Sequence, residues 1–295
     1  MTAPASEAAP PTYRGRFAPS PTGPLHMGSL YTALASFLDA RHHLGSWQLR
    51  IDDIDPPRAV AGSVERILTG LKAHGLLWDD EVIYQSQSTD AFEHALTQLG
   101  QSGRLFRCRC TRADLKTTGS CGQACVNQQH ADDVPHRLRV SVDRSLLTDS
   151  EDRFLGPQGI TAEALPQDFI VRRRDGLFAY QLAAAVDDAQ PNFTHIVRGR
   201  DLLDSTHRQR YLHSVLGLTS PQYAHVELLC GADGNKLSKQ NGAPEVILGQ
   251  AADNLRQCLI QLRQTPPPAS ARNPDAILEH AISNWAPPLH RTQYP

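Results

Sequence analysis

Lys236, Ser238 and Lys239 stand together in the glycine-led stretch Gly234-Asn235-Lys236-Leu237-Ser238-Lys239. Lysines on such a loop can follow negative charge as it builds on a departing pyrophosphate, which is electrostatic stabilisation of a transition state. Far upstream, Arg16-Phe17-Ala18-Pro19-Ser20-Pro21-Thr22-Gly23-Pro24-Leu25-His26-Met27-Gly28-Ser29 supplies a second set of polar groups. Its prolines and Gly23 mark a tight turn. Leu30, Leu34, Phe37 and Leu38 then recur at helical spacing. A helix therefore begins beside His26 and Gly28, and its free N–H groups make that point suit a phosphate. Gly28, without a side chain, lets a base or ribose lie close to the backbone. Taken singly, each stretch is also an ordinary turn.

A third constellation is Cys108-x-Cys110, ten residues, then Cys121-x3-Cys125. Four thiolates in a polar, glycine-containing segment suit tetrahedral Zn2+, which would fold a segment with almost no apolar core. Unligated thiols or a redox switch are the alternative. Cys230 and Cys258 have no partners in spacing and read as core residues.

These groups need a scaffold. Tyr13–Ala18 and Trp47–Ile51 read as strands around a helix from about Gly28 to His43, which is a parallel crossover unit. Asp52-Asp53-Ile54-Asp55-Pro56-Pro57-Arg58 follows at the carboxyl edge of the second strand, where open α/β sheets bind ligands. Ser63–His74 and Ala91–Gly100 have helical periodicity. From Leu105 to about His136 the pattern breaks into what reads as an insertion between the halves of the sheet. Asp168–Arg173 resumes a strand, and Gly176–Asp188 is apolar with an acidic end. Thr194–Arg198 is a strand, Leu202–Leu216 a helix, and Val226–Leu229 a strand leading to the lysines. Ala243–Leu262 reads as helix, Pro266-Pro267-Pro268 breaks it, and Ala276–Trp285 is the last helix.

Composition bounds the class. The 295 residues include 29 Lys+Arg and 31 Asp+Glu, a net charge of −2, so no global basic field draws the chain to nucleic acid. RNA contact would use local patches such as Arg172-Arg173-Arg174, Arg198 with Arg200, or Arg208 with Arg210. Nothing approaches a membrane span or a signal peptide. Clustered cysteines point to the cytoplasm.

His26-Met27-Gly28-Ser29 and Lys236-Leu237-Ser238-Lys239 together resemble the two signatures of class I aminoacyl-tRNA synthetases, and the stretch from Arg16 resembles the glutamyl branch. Across 13–240, Ile54-Asp55-Pro56-Pro57-Arg58, the clustered cysteines, Arg173–Tyr180 and Lys239-Gln240-Asn241 are similar to the glutamyl-queuosine tRNA(Asp) synthetase family, truncated paralogues of glutamyl-tRNA synthetase. The resemblance implies an α/β fold with a doubly wound parallel sheet, a Rossmann-type catalytic domain. Composition and pattern divide the chain into a small, Pro-rich disordered tail (1–12), a first catalytic half (13–104), a zinc-bearing insertion (105–167), a second half with the lysine loop (168–242) and a short helical region (243–295). The last region leaves no room for an anticodon-binding domain.

The implied reaction is ATP-dependent activation of L-glutamate, then transfer to the queuosine base of tRNA(Asp), with Mg2+ accompanying ATP and a monomer expected. His26, Lys236 and Lys239 would be catalytic. Gly28, Ser29 and Ser238 would join them around ATP, and Arg16, Phe17, Ala18, Pro19, Ser20, Asp52, Tyr180 and Arg198 would bind glutamate. Where relatives carry Glu-Asp-Ile-Asp, Asp52 is one methylene shorter as the amino-group anchor. A minimal synthetase charging a tRNA 3′ end and an inactive RNA-binding paralogue are the rival readings.

Overall fold

The computed structural model describes residues 12–111, 113–115, 120–121, 123–126, 134–147, 149–161, 164–189, 193–229 and 244–288. The lysine stretch, Cys230 and the tail up to residue 11 lie outside them.

Strand β1 (Arg14–Phe17) leads through the proline-rich turn into α1 (Met27–His42), which returns to β2 (Ser46–Ile51). β1 and β2 pair in parallel, Arg16 opposite Gln48. α2 (Ser63–Ala73) is followed by a short parallel strand, β3 (Ile83–Tyr84), and by α3 (Thr89–Gln101). The cysteine segment begins on β4 (Leu105–Cys108) and includes α4 (Gln123–Val126), β5 (Arg137–Ser141) and the hairpin β6 (Ser150–Asp152) with β7 (Gly156–Gln158). β8 (Asp168–Arg172), α5 (Tyr180–Ala189), β9 (His195–Gly199), α6 (Leu203–Leu216), β10 (Gln222–Val226), α7 (Ala251–Gln261) and α8 (Pro274–Ser283) complete the order.

β9 and β10 pair in parallel, and β9 lies beside β1, joined where Thr194 N–H donates to the Arg14 carbonyl at 2.9 Å. The parallel α/β core is thus the one the sequence predicts. α1 is apolar on nearly every side because it is enclosed by the sheet, α7 and α8, with Leu30, Leu34 and Leu38 fully buried. A second core gathers around α3, α5 and α6, where Phe92, Leu182 and Tyr211 are buried. Gly217, at φ 65°, ends α6 in the left-handed conformation that favours glycine. Asn273 caps α8 by accepting from Ala276 N–H at 2.9 Å.

Three elements differ from expectation. β8 forms, but it pairs antiparallel with β5, so the sheet of the cysteine segment extends to Arg172. β10 ends at Val226 rather than beginning there; the buried His225 makes a true strand look polar. Residues 244–247 are not helical. Val246 N–H donates to the Leu25 carbonyl at 3.0 Å and Glu245 bridges His26, so α7 starts only after Gly249.

Candidate active site

The carboxyl ends of β1 and β9, the proline-rich turn and the start of α1 enclose a cavity of about 640 Å³. Arg16, Phe17, Ala18, Pro19, Ser20, His26, Gly28, Ser29, Asp52, Tyr180 and Arg198 all line it. Thus the site residues expected from the sequence converge, save Lys236, Ser238 and Lys239, which lie outside the described residues. Leu229 lines the same cavity and Glu245 bridges His26, so the described chain on both sides of the lysine stretch lies at the cleft.

His26 does more than stand near the helix start. Its Nδ1 accepts the N–H groups of Gly28 (3.1 Å) and Ser29 (3.3 Å), while its own N–H donates to Ser29 Oγ at 2.9 Å, a reciprocal cap. Of the helix amides expected to be free for phosphate, His26 occupies two. With Nδ1 accepting, the proton of a neutral imidazole belongs on Nε2.

Arg198 is buried, and its three short bonds run away from the cavity. Nη2 donates to Thr206 Oγ1 (2.6 Å), Nη1 to Gln209 Oε1 (2.8 Å) and Nε to His225 Nε2 (3.2 Å). Its two long contacts, 3.4 Å each, go to Tyr180 and the Leu202 carbonyl, both on the cavity wall. Among the described residues no carboxylate pairs with this guanidinium. A buried cation without an acid partner is costly, and a ligand carboxylate would relieve that cost. Tyr180 stands beside it at the start of α5.

Arg16 was expected to serve the same purpose. It lines the cavity, but Nε and Nη2 both donate to Asp188, at 3.0 and 2.8 Å. Asp188 also accepts from Arg50 Nη1 at 2.6 Å, and Arg50 Nε donates to Asp52 at 2.7 Å. Burial opposes the charge of Asp188, yet the two guanidinium groups hold its carboxyl well below the usual carboxylate range. Arg16, Arg50, Asp52 and Asp188 therefore form one neutral buried cluster whose Asp52 end reaches the cavity. Arg50 was missed in the sequence, although it lies two residues before Asp52 on the strand edge. Asp187, beside the cluster, accepts from Gln85 Nε2 at 2.8 Å, and burial pushes it up to about 6.

Away from the cleft, the Sγ atoms of Cys108, Cys110, Cys121 and Cys125 all lie within 4.8 Å of one another, with Cys110 at 3.5 Å from both Cys121 and Cys125. A tetrahedral metal with M–S bonds of about 2.3 Å brings sulfurs to about 3.8 Å, so the four thiols are placed to close around one ion. Cys121 N–H donates to Asp168 at 3.1 Å and Arg137 donates to the Cys110 carbonyl at 2.7 Å, which ties the cluster to β5 and β8. Cys258 is a buried core residue, as expected.

Residues 12–263 match the family model for class I tRNA synthetases (E and Q), catalytic domain. The chain belongs to this family. It is 40% identical over 279 residues to the glutamyl-Q tRNA(Asp) synthetase of Idiomarina loihiensis, covering 94% of this chain and 98% of that one. It is 45% identical to the protein of the same name from Xanthomonas campestris pv. campestris strain 8004, over 93% of this chain and 92% of the relative. A solved glutamate tRNA ligase from Elizabethkingia meningosepticum, in complex with its amino acid, superposes with a TM-score of 0.75 at 22% identity. The match covers 94% of this chain but 65% of that one. As a class I synthetase the chain is a ligase of the kind that uses ATP. Among the described residues, no helix is long and apolar enough to cross a membrane.

Proposed function

We propose that this protein activates L-glutamate with ATP and transfers it to the queuosine base of tRNA(Asp), in the cytoplasm. The observation that carries the amino-acid half is Arg198, a buried guanidinium on the cavity wall without a carboxylate partner among the described residues. The transfer half rests on the full-length likeness to relatives named glutamyl-Q tRNA(Asp) synthetase.

In this reading the side-chain carboxylate of glutamate meets Arg198 and Tyr180, replacing the two long contacts of the guanidinium. Asp52, held by Arg50, faces the amino group. Phe17, Ala18, Pro19 and Ser20 form the wall between them, and Arg16 acts through Asp188 by keeping that wall in register. The α-carboxylate oxygen attacks the α-phosphorus of ATP, the bond to the β-phosphate oxygen breaks, and pyrophosphate leaves. Nε2–H of His26 donates to the phosphate, with Gly28 and Ser29 beside the nucleotide. On the stretch between Leu229 and Glu245, Lys239 with Lys236 in support would neutralise the leaving pyrophosphate, and Ser238 would join them around ATP. Mg2+, when bound with ATP, supplies further neutralisation of the same charge. In the second step a nucleophile on the queuosine base forms its bond to the glutamyl carbonyl carbon, and AMP leaves. Cys108, Cys110, Cys121 and Cys125 would hold Zn2+, whose contribution is to fix the fold of the insertion.

ATP–pyrophosphate exchange without tRNA tests the amino-acid half. Exchange driven by glutamate, and far less by glutamine or aspartate, supports it; equal exchange with glutamine would exclude Arg198 as a carboxylate receptor.

A further inference from the structure

Behind Arg198 lies a buried chain of polar groups that belongs to no expected site. β9 and β10 set Arg198 directly opposite His225, so the two side chains share one face of the sheet. Nε2 of His225 accepts from Arg198 Nε at 3.2 Å and lies 3.0 Å from Thr206 Oγ1, itself an acceptor of Arg198 Nη2. On the other side of the ring, Nδ1 is 2.5 Å from Oδ2 of Asp152, at the end of β6. Asp152 is itself fixed: its Oδ1 accepts the backbone N–H groups of Phe154 (3.0 Å), Leu155 (2.9 Å) and His225 (3.1 Å). All these side chains are buried.

The tautomer follows from counting protons. A carboxylate only accepts, so Nδ1 of His225 carries the proton and donates it to Asp152. Nε2 is then a lone pair, as the N–H of Arg198 requires. A guanidinium has five N–H groups in one plane. Those of Arg198 meet His225, Gln209, Thr206, Tyr180 and Leu202. Three of these partners hold the back of the plane, and His225 alone among them is held by a charged residue from the β6–β7 hairpin.

Resting on the assignment of Arg198 to the glutamate side chain, we propose that Asp152 and His225 are positioning residues of the amino-acid site. Asp152 fixes the tautomer of His225, and Nε2 of His225 fixes the plane in which Arg198 presents its remaining donors to the carboxylate. Burial, the largest influence on the ring, holds the His225 pKa below its ordinary value, which favours the neutral imidazole that this needs, against the pull of Asp152.

Asp152→Asn tests the relay. Its amide oxygen can keep the three backbone donors, while the NH2 group replaces Oδ2 and donates to Nδ1. The ring proton then moves to Nε2, where Thr206 Oγ1, 3.0 Å away, can accept it and the N–H of Arg198 is left without its acceptor. 15N spectra of histidine-labelled protein should show the proton of His225 on Nδ1 in the native protein and on Nε2 in the variant. In ATP–pyrophosphate exchange, the KM for glutamate should rise about 10- to 100-fold, the loss of one hydrogen bond to a charged group, while the KM for ATP stays within about threefold. His225→Gln, whose amide offers an acceptor to Arg198 and a donor to Asp152, should recover most of that affinity, whereas His225→Leu should not. A reversed tautomer with an unchanged KM for glutamate would overturn the proposal, as would equal KM values for the Gln and Leu variants. Arg198→Gln separates the two levels: if it leaves the glutamate KM unchanged, the assignment of Arg198 itself fails.

Discussion

Arg50 donates from Nη1 to Oδ1 of Asp188 at 2.6 Å, while Arg16 holds the same carboxylate through Oδ1 and Oδ2. One acid from α5 thereby joins β1 to β2 beneath the cavity. Removing it leaves two buried guanidinium groups short of a counter-charge. Asp188→Asn is expected to lower the unfolding free energy by about 3–5 kcal/mol in urea titration. A loss below about 1 kcal/mol would mean that the cluster contributes no more than a surface pair.

Asp187 gives the cluster a pH signature of opposite sign. Burial raises it from 3.8 to about 6 in the folded state, so the folded protein binds this proton more tightly than the unfolded chain. Its contribution to stability is full below pH 3.8 and is lost as pH rises to about 6. Asp187→Asn removes the titration. The variant should exceed the native protein in stability by up to about 3 kcal/mol at pH 7.5, with the difference vanishing toward pH 4. Parallel stability curves across that range would contradict the assignment.

His26 combines a cap and a donor, and two substitutions separate them. His26→Ala should cost about 1 kcal/mol of stability and slow glutamyl-adenylate formation about 10²- to 10³-fold. His26→Asn restores a capping oxygen without an N–H at the position of Nε2. Melting should return toward the native value, and single-turnover adenylate formation should remain slow. Recovery of both together would reduce His26 to a helix cap.

The cysteine cluster predicts about one equivalent of zinc, lost together with thermal stability in Cys110→Ser or on chelation at elevated temperature. Metal analysis and calorimetry on the same sample check this. Metal lost with unchanged melting would remove the structural role.

The first turn of the site was legible because its determinants are contiguous: prolines and glycine set the turn, and the leucine periodicity after it sets the helix. Arg198 and Tyr180 were legible through family motifs, and Asp52 also through its place at the carboxyl edge of β2. What escaped were pairings between distant residues. Asp188 with Arg50 and His225 with Asp152 are separated by 138 and 73 positions, and each arises only when elements pack. Local spacing carries no record of such contacts. The misplaced start of α7 has the reverse origin. Val246, Ile247 and Leu248 resemble the beginning of an apolar helical face, but Val246 is held extended against Leu25, and Gly249 follows before the helix begins.

Glutamate transfer is tested by offering labelled glutamate, with ATP, to tRNA(Asp) bearing queuosine, to tRNA(Asp) lacking it, and to tRNA(Glu). Label is expected on the queuosine-bearing tRNA(Asp) alone. Label on tRNA(Glu), or equal label on both forms of tRNA(Asp), would contradict it.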